Sequence, residues 1–372
     1  MSFIHPWIFS GLFTGKKHED QTYKRKKSVP MDTKHFISVI IPAYNEESIL
    51  EENIQAIAGF LKEKTHKYQW EIIIVNDGSK DNTGKVAEEM AGRDANIKVT
   101  HHRVNKNLGH ALRTGFSQAS GEAIVVMDVD LSYSVDHIES LADTLFEEVA
   151  DVVIASPYMP GGKSIAVPRL RLWMSKAVNR IMRMAAQEKY YTFTGMVRAY
   201  RAEFIKKVNL KTRDYEVNPE ILYKAMILRA RIREIPARLD WSAQKKKKNR
   251  KSHLKVGRGI FSGFMSSFIF RPYIYFLAVG FITLVVSLYI IGWIFYHTIT
   301  VMPELEIEVN YFDDRFSYAL GRVFHERPHS FLVGGFTFVV SLLFLGIGFI
   351  SLQSKRYFEE LFHLVTNKNN RD

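Results

Sequence analysis

Apolar and polar positions along the first two thirds of the chain fall into alternating blocks. FISVIIPAY, from Phe36, is an apolar run of strand length, and EESILEENIQAIAGFLKEK follows with Ile49, Leu50, Ile54, Ile57, Ala58 and Leu61 at helical spacing. WEIIIVNDGS and DNTGKVAEEMAGRD repeat the strand and the helix. NIKVTHH and NLGHALRTGFSQAS repeat them again, and EAIVVMD opens a fourth round whose helix is expected over Tyr133–Glu147. Near-continuous Val/Ile runs separated by helices predict a mostly parallel sheet covered on both faces. Such sheets bind ligands at the carboxyl ends of their strands.

The pattern then changes. Lys245 to Arg258, KKKKNRKSHLKVGR, holds eight Lys/Arg and no acid. Tyr273–Tyr296 has no charged residue in 24 positions, and Phe331–Leu352 none in 22. As helices these runs reach roughly 36 and 33 Å, enough for a hydrocarbon core of about 30 Å. Basic residues flank both runs on their outer sides: the 245–258 stretch before the first, Lys355 and Arg356 after the second. Between them Glu304, Glu306, Glu308, Asp313, Asp314 and Glu326 outweigh Arg315, Arg322 and Arg327. The positive-inside rule then places residues 1–272 and the C-terminal tail in the cytoplasm, with the two spans as a hairpin. Because the first span begins so late, a cleaved signal peptide is not expected. MSFIHPWIFSGLF is short and contains a proline, and reads as an interfacial segment.

The expected organisation is a basic tail (1–35), a catalytic domain (36–244), a basic loop with an interfacial helix (245–272), a first span (273–296), an extracytoplasmic loop (297–330), a second span (331–352) and a cytoplasmic tail (353–372). Hydrophobic residues make up 47% of the 372, enough for a sizeable core. The absence of cysteine excludes disulfides, thiolate metal sites and cysteine nucleophiles. A formal charge of +12 suits anionic lipid or phosphorylated ligands. Nucleic acid is not expected as a partner, since aromatics are sparse in the basic stretch Lys16–Lys34.

Candidate chemistry sits at the strand ends. Pro42-Ala43-Tyr44-Asn45-Glu46 closes the first strand, Asn76-Asp77-Gly78-Ser79 the second, and Asp128-Val129-Asp130 the fourth. A helix cap explains one of the last two aspartates, and Asp77 alone reads equally well as a turn residue. A divalent cation, Mg²⁺ or Mn²⁺, explains both Asp128 and Asp130, because such ions are held by one or two carboxylates plus substrate phosphates. No Gly-x-x-x-x-Gly-Lys-Ser/Thr loop is present, so a nucleotide diphosphate would be held by metal and basic side chains. Arg171 and Ser175 stand one helical turn apart on one face, a pairing suited to phosphate.

FISVIIPAYNEE, IIIVNDGSKDNT, NLGHALRTGF and VVMDVDLS, in this order and spacing, resemble the GT-A glycosyltransferases of family 2, over roughly Ile37 to Ile274. One catalytic domain with a short membrane anchor is similar to the polyprenyl-phosphate (dolichyl-phosphate) mannosyl- and glucosyltransferases among them. The resemblance implies an α/β, Rossmann-like GT-A domain on the cytoplasmic side, with interfacial helices (Trp173–Met184 and Gly259–Phe270) and a two-helix transmembrane hairpin. It assigns Pro42, Ala43, Tyr44, Glu46, Asp77 and Gly109 to the nucleotide-sugar pocket. Asp128 and Asp130 match the Asp-x-Asp motif that serves catalysis and metal binding, and Ser132, at a position where the family often has Gln, would join them at the metal directly or through water. Arg171 and Ser175 match an acceptor-phosphate pair, and Arg250, Ser252 and Lys255 would join it from a loop. Pro157 replaces a family arginine that contacts that phosphate. Segments 194–204 and 216–226 resemble the family's second half.

The implied reaction is inverting, metal-dependent transfer of mannose or glucose from a nucleotide diphosphate to a polyprenyl phosphate in the membrane. Self-association into a homo-oligomer stays open. A glycosyltransferase using another lipid acceptor and a non-catalytic sugar-nucleotide-binding scaffold are the alternatives. A processive synthase would carry Gln-x-x-Arg-Trp, which is missing here.

Overall fold

In the computed structural model, residues 34–186, 188–242, 272–305 and 311–368 are described. Two units make up the chain: Met1–Lys34, of which only Lys34 is described, and His35–Asp372. The interfacial segments expected at the N-terminus and over Gly259–Phe270 lie outside the described residues.

Strands β1 (His35–Ala43), β2 (Tyr68–Asn76), β3 (Ile97–His101) and β4 (Ala123–Val126) alternate with helices α1 (Glu47–Glu63), α2 (Thr83–Arg93), α3 (Leu108–Gln118) and α4 (Asp136–Glu147). After β5 (Val152–Ser156) come β6 (Lys163–Ile165), α5 (Arg169–Ala185), β7 (Arg198–Arg201), α6 (Ala202–Lys207), α7 (Val217–Ile227), β8 (Ile232–Pro236) and β9 (Arg238–Asp240). Seven strands form one sheet in the order β3-β2-β1-β4-β7-β5-β8, and β6 pairs with β9 in a small second sheet. The main sheet is mixed. β7 runs antiparallel to both β4 and β5, and the other pairings are parallel.

Side-chain alternation divides the core into two layers. Ile37, Val39, Ile41, Ile72, Ile74, Val125 and Val153 face α1, α2 and α4. Ile40, Ile73, Val75, Ile124, Val126 and Ile154 face α3 and α7. The continuous apolar runs follow from this two-sided burial. Short β7 is less apolar: fully buried Arg198 donates from Nη1 to Asn218 O at 2.8 Å and from Nη2 to Phe193 O at 2.7 Å.

A polar clamp fixes the register at the edge away from the strand ends that carry the candidate chemistry. Ser38 Oγ donates to Glu71 Oε1 at 2.5 Å, Gly121 N–H donates to Ser38 Oγ at 2.8 Å, and Ser120 N–H donates to Glu71 Oε1 at 2.6 Å. Lys98 Nζ reaches Glu71 Oε2 at 2.6 Å. Ser38 lies on β1, Glu71 on β2, Lys98 on β3, and Ser120–Gly121 lead into β4. The clamp therefore ties four consecutive sheet positions together. Register matters here because a one-residue slip would turn every inward side chain to the other face.

Beyond the sheet domain, α8 (Pro272–Val301) and α10 (Pro328–Lys368) bracket α9 (Phe312–Glu326). Pro272–Glu304 and Pro328–Phe358 are long and apolar enough to cross a membrane, with mean hydropathy 2.5 and 2.3. Only 11% and 17% of their most apolar windows are buried, so these are not core helices of a water-soluble fold. Close packing of α8 on α10 uses small residues. A Cβ at Gly280 would stand 2.9 Å from the Leu345 side chain, and one at Gly348 would stand 2.7 Å from Leu277. Ser287 Oγ donates to Gly334 O at 2.9 Å across the pair. Between the spans, α9 buries Ala319 and Val323 and exposes Phe312 and Tyr318.

Burial alone would raise the Glu71 carboxyl, but Lys98, Ser38 and the Ser120 N–H outweigh it and hold the group below the ordinary carboxylate range. A depressed carboxylate contributes stability above its unfolded-state value, and that contribution is lost as pH falls through the folded-state value. Glu71→Ala is expected to cost about 2–3 kcal/mol at neutral pH, because Ser38 and Ser120 lose a buried acceptor. Denaturant unfolding of the detergent-solubilised chain measures this, and the loss should shrink in acid.

Candidate active site

The carboxyl ends of β1, β2 and β4 meet on one rim. Asp77 N–H donates to Ala43 O at 2.9 Å, and Met127 N–H donates to Ile40 O at 3.1 Å. The turn after β1 bends back at Asn45, whose φ of 56° is left-handed, a region in which asparagine is enriched. Asn45 N–H donates to Ser79 Oγ at 3.0 Å, its Oδ1 accepts from Lys80 N–H at 2.8 Å, and Glu46 N–H donates to Thr83 Oγ1 at 2.8 Å. These bonds lace the β1 turn to the β2 turn. Tyr44, 38% exposed, stands at the open side, while Ala43 is buried and Pro42 partly so.

The Asp128–Asp130 segment is held from several sides. Asn53 Nδ2 donates to Val129 O at 2.7 Å, and Leu131 takes a left-handed φ of 47°. Asp130 Oδ1 accepts from Ser132 N–H at 3.0 Å and from Ser132 Oγ at 2.6 Å. Asp240 N–H donates to Ser132 O at 2.8 Å, and Tyr133 bridges to Leu239. That bridge explains why α4 begins at Asp136 instead of Tyr133. The Ser132 hydroxyl is committed to Asp130 here and orients that carboxylate.

Burial, and then the charges of Asp130 and Glu46, push the Asp128 carboxyl up to about 7. Three carboxylates thus crowd one place at a mutual electrostatic cost. Among the described residues, no three His, Asp or Glu side chains form a complete metal-binding group. The donor set still fits a hard divalent cation, because two carboxylates are enough when substrate phosphates supply further oxygens. Asp128 and Asp130 would hold that ion, and its charge would relieve the crowding.

Asp77 is buried at the end of β2. Its Oδ1 accepts from Lys106 N–H at 2.9 Å and lies 2.6 Å from His102 Nδ1, while His102 Nε2 is 2.8 Å from Thr114 Oγ1. Against the Asp77 carboxylate, His102 Nδ1 acts as a donor. Gly109 is buried beneath the Thr212–Arg213 backbone, where a Cβ would come within 2.4 Å of Thr212 O. That close approach accounts for the glycine, which faces a chain segment and not an open pocket. Arg113 Nη1 to Thr212 O at 2.7 Å, and Glu220 accepting from Lys211 N–H and Thr212 N–H at 2.8 and 2.9 Å, pin the segment down.

His110, within the NLGHALRTGF stretch, lies beside it. Burial and the charges of Arg113, Lys106 and Arg213 lower His110 from its ordinary value. Lys106 and His110 are close in sequence, and the fold brings Arg213 from a separate loop beside them.

Arg171 and Ser175 both lie on α5. The Arg171 guanidinium carbon sits 4.1 Å over the Trp241 ring, a cation–π contact. Desolvation lowers the Arg171 guanidinium from its ordinary value, against the opposing charges of Tyr215, Tyr158 and Asp130. Arg171 therefore lies within electrostatic reach of Asp130. Ser175 Oγ is 2.7 Å from Tyr158 OH, the neighbour of Pro157. Arg250, Ser252 and Lys255 lie outside the described residues.

With this geometry in view, comparison with known proteins is informative. Residues 38–208 match the family model for Glycosyl transferase family 2. It is similar to a dolichol-phosphate mannosyltransferase of Pyrococcus furiosus, 32% identical over 54% of this chain and 55% of the relative. A polyprenol monophosphomannose synthase of Mycolicibacterium smegmatis is 35% identical over 47% of this chain and 65% of the relative. The chain thus spans between half and two thirds of these curated relatives. Among solved structures, glucosyl-3-phosphoglycerate synthase from Mycobacterium tuberculosis with uridine diphosphate aligns at a TM-score of 0.46 and 19% identity, covering 63% of this chain and 80% of that one.

The raised Asp128 value has a sign that can be tested. Folding shifts this carboxyl from 3.8 to about 7 and so favours its neutral form. In the cation-free protein its contribution to stability falls as pH rises between those values. Asp128→Asn, which stays uncharged, should raise Tm at pH 8 by about 2–4 °C and leave it unchanged near pH 4. Thermal melts in chelator at the two pH values measure this.

Proposed function

We propose that the chain transfers mannose or glucose from a nucleotide diphosphate to the phosphate of a polyprenol held in the membrane. The observation that carries this reading is the carboxylate pair at the end of β4, linked to Arg171 of α5 through the Ser132–Asp130 bond, the Asp240 N–H to Ser132 O bond and the Trp241 ring under Arg171. An anion-binding arginine beside a cation-binding pair suits a reaction between two phosphate-bearing substrates. The names of the relatives from P. furiosus and M. smegmatis, and of an undecaprenyl-phosphate mannosyltransferase of Micrococcus luteus, support the acceptor class.

In this reading the turn after β1, Tyr44 and Asp77 position the nucleotide, with Lys106 and Arg213 adding positive charge beside it. Asp128 and Asp130 hold Mg²⁺ or Mn²⁺, which neutralises the leaving diphosphate when bound. Ser132 and the β9 backbone keep Asp130 in place. Arg171 and Ser175 receive the acceptor phosphate, and Arg250, Ser252 and Lys255 would add to it. The acceptor oxygen is already anionic at neutral pH, so the residues need only align it with the anomeric carbon, and no strong general base is required. Attack from the face opposite the diphosphate inverts that carbon.

The basic stretch 245–258 sets the catalytic domain against the cytoplasmic leaflet, with α8 and α10 as the anchor. Lipid and water-soluble donor then meet at the membrane surface.

The test uses the detergent-purified full chain with Mn²⁺ or Mg²⁺, polyprenyl phosphate and a panel of radiolabelled nucleotide sugars. Label should appear in a mild-acid-labile lipid. Chelation should abolish it, and Asp130→Asn should reduce the rate by at least about 10²-fold, on the scale of losing one main electrostatic element. Label in a lipid stable to mild acid would replace the acceptor with another lipid class. Full nucleotide binding with no lipid product from any donor would favour a non-catalytic scaffold.

A further inference from the structure

Beyond the acceptor pair, α5 carries a second concentration of charge. Lys176, Arg180 and Arg183 fall at i, i+4 and i+7 on one face of the helix, and Lys189 follows its end. These four side chains line a cavity of about 580 Å³. Its walls are the rings of Tyr158 and Tyr191, with the Arg183 guanidinium carbon 4.3 Å over the Tyr191 ring. Asn179 completes the lining, 3% exposed and locked in place. Its Nδ2 donates to Ser175 O at 2.9 Å and Thr194 Oγ1 at 3.1 Å, and its Oδ1 accepts from Phe193 N–H at 2.6 Å.

No described carboxylate forms an ion pair with any of these four cations. By contrast, Lys67 is paired with Asp143 and Arg231 with Asp151. Like charges gathered around one concavity repel each other, and an anion in the cavity relieves this. Two arginines offer planar forks for phosphate oxygens, two lysines supply further charge, and the tyrosine walls suit the apolar flank of a headgroup. The site is separate from the acceptor pair, since Arg180 stands nine residues from Arg171, roughly 13 Å along the helix axis. It is also contiguous with that pair, because Tyr158 lines the cavity while bonding to Ser175.

We infer that this cavity is a second phosphate-binding subsite, taking the phosphate group of a membrane lipid beside the acceptor position. It extends the proposed function but rests on it only for the source of the phosphate. One source is the polyprenyl phosphate on its way to Arg171. The other is an anionic phospholipid that holds α5 against the bilayer.

The test titrates the full chain in neutral detergent with short-chain phosphatidic acid and counts bound lipid by native mass spectrometry. Wild type should show a saturable adduct. The double variant Arg180→Gln/Arg183→Gln should weaken it at least about tenfold, since two charge-assisted contacts are lost. Arg180→Lys/Arg183→Lys should retain most of the affinity, and Arg171→Gln should leave the adduct intact. Displacement by polyprenyl phosphate identifies the acceptor as the source, while displacement by phosphatidylglycerol alone identifies a phospholipid. Because these readouts need no sugar transfer, they stand apart from the activity assay. Unchanged affinity in the glutamine variant, or binding that never saturates, would overturn the inference. Should that variant fail to fold, Lys176→Gln/Lys189→Gln, at exposed positions, reads the same loss.

Discussion

Crowding of negative charge at the end of β4 is the constraint around which the sheet domain is arranged. Asp128, Asp130 and Glu46 come from two strand ends that the parallel β1–β4 pairing brings side by side. Left alone, that arrangement works against folding. It persists because the backbone beneath it is tied down by Asn53, by the β9 backbone and by the Ser132 turn. A site whose carboxylates repel, on a scaffold that keeps them together, is prepared for a cation.

The same ties carry the acceptor side. Ser132 O accepts from Asp240 N–H, Trp241 N–H donates to Ile165 O, and the Trp241 ring lies under Arg171. The small β6–β9 sheet thus connects the Asp128–Asp130 turn to the arginine of α5 by a short chain of contacts. The proposed donor and acceptor positions are fixed to each other through it, and a misplacement of about 1 Å between reacting groups can cost two orders of magnitude in rate.

Much of this was legible in the sequence because it is local. Val/Ile runs of strand length identify β1, β2 and β4, since burial on both faces leaves no polar alternation to obscure them. The aspartate pair stands out as polar residues ending an apolar run. Non-local features did not show. β7, with the sequence RAYR, has two arginines in four residues and gives no strand signal, yet it sits antiparallel between β4 and β5, with Arg198 hydrogen-bonded to the carbonyls of Asn218 and Phe193. The stacking of Arg171 on Trp241 joins residues 70 positions apart through a sheet of three-residue strands. Gly109 reads as part of a binding motif, but its lack of a side chain answers to the backbone at Thr212. The helix Phe312–Glu326 was hidden in a segment notable mainly for its acids.

The central claim is that the crowded carboxylates form a cation site completed by the diphosphate of the donor. The most direct measurement is calorimetric titration of Mn²⁺ into the purified full chain with and without a nucleotide diphosphate. The account predicts that nucleotide tightens Mn²⁺ binding and that Mn²⁺ tightens nucleotide binding by the same factor, as linkage requires. Asp130→Asn should remove that coupling. Mn²⁺ and nucleotide binding independently of each other, or coupling that survives Asp130→Asn, would contradict it.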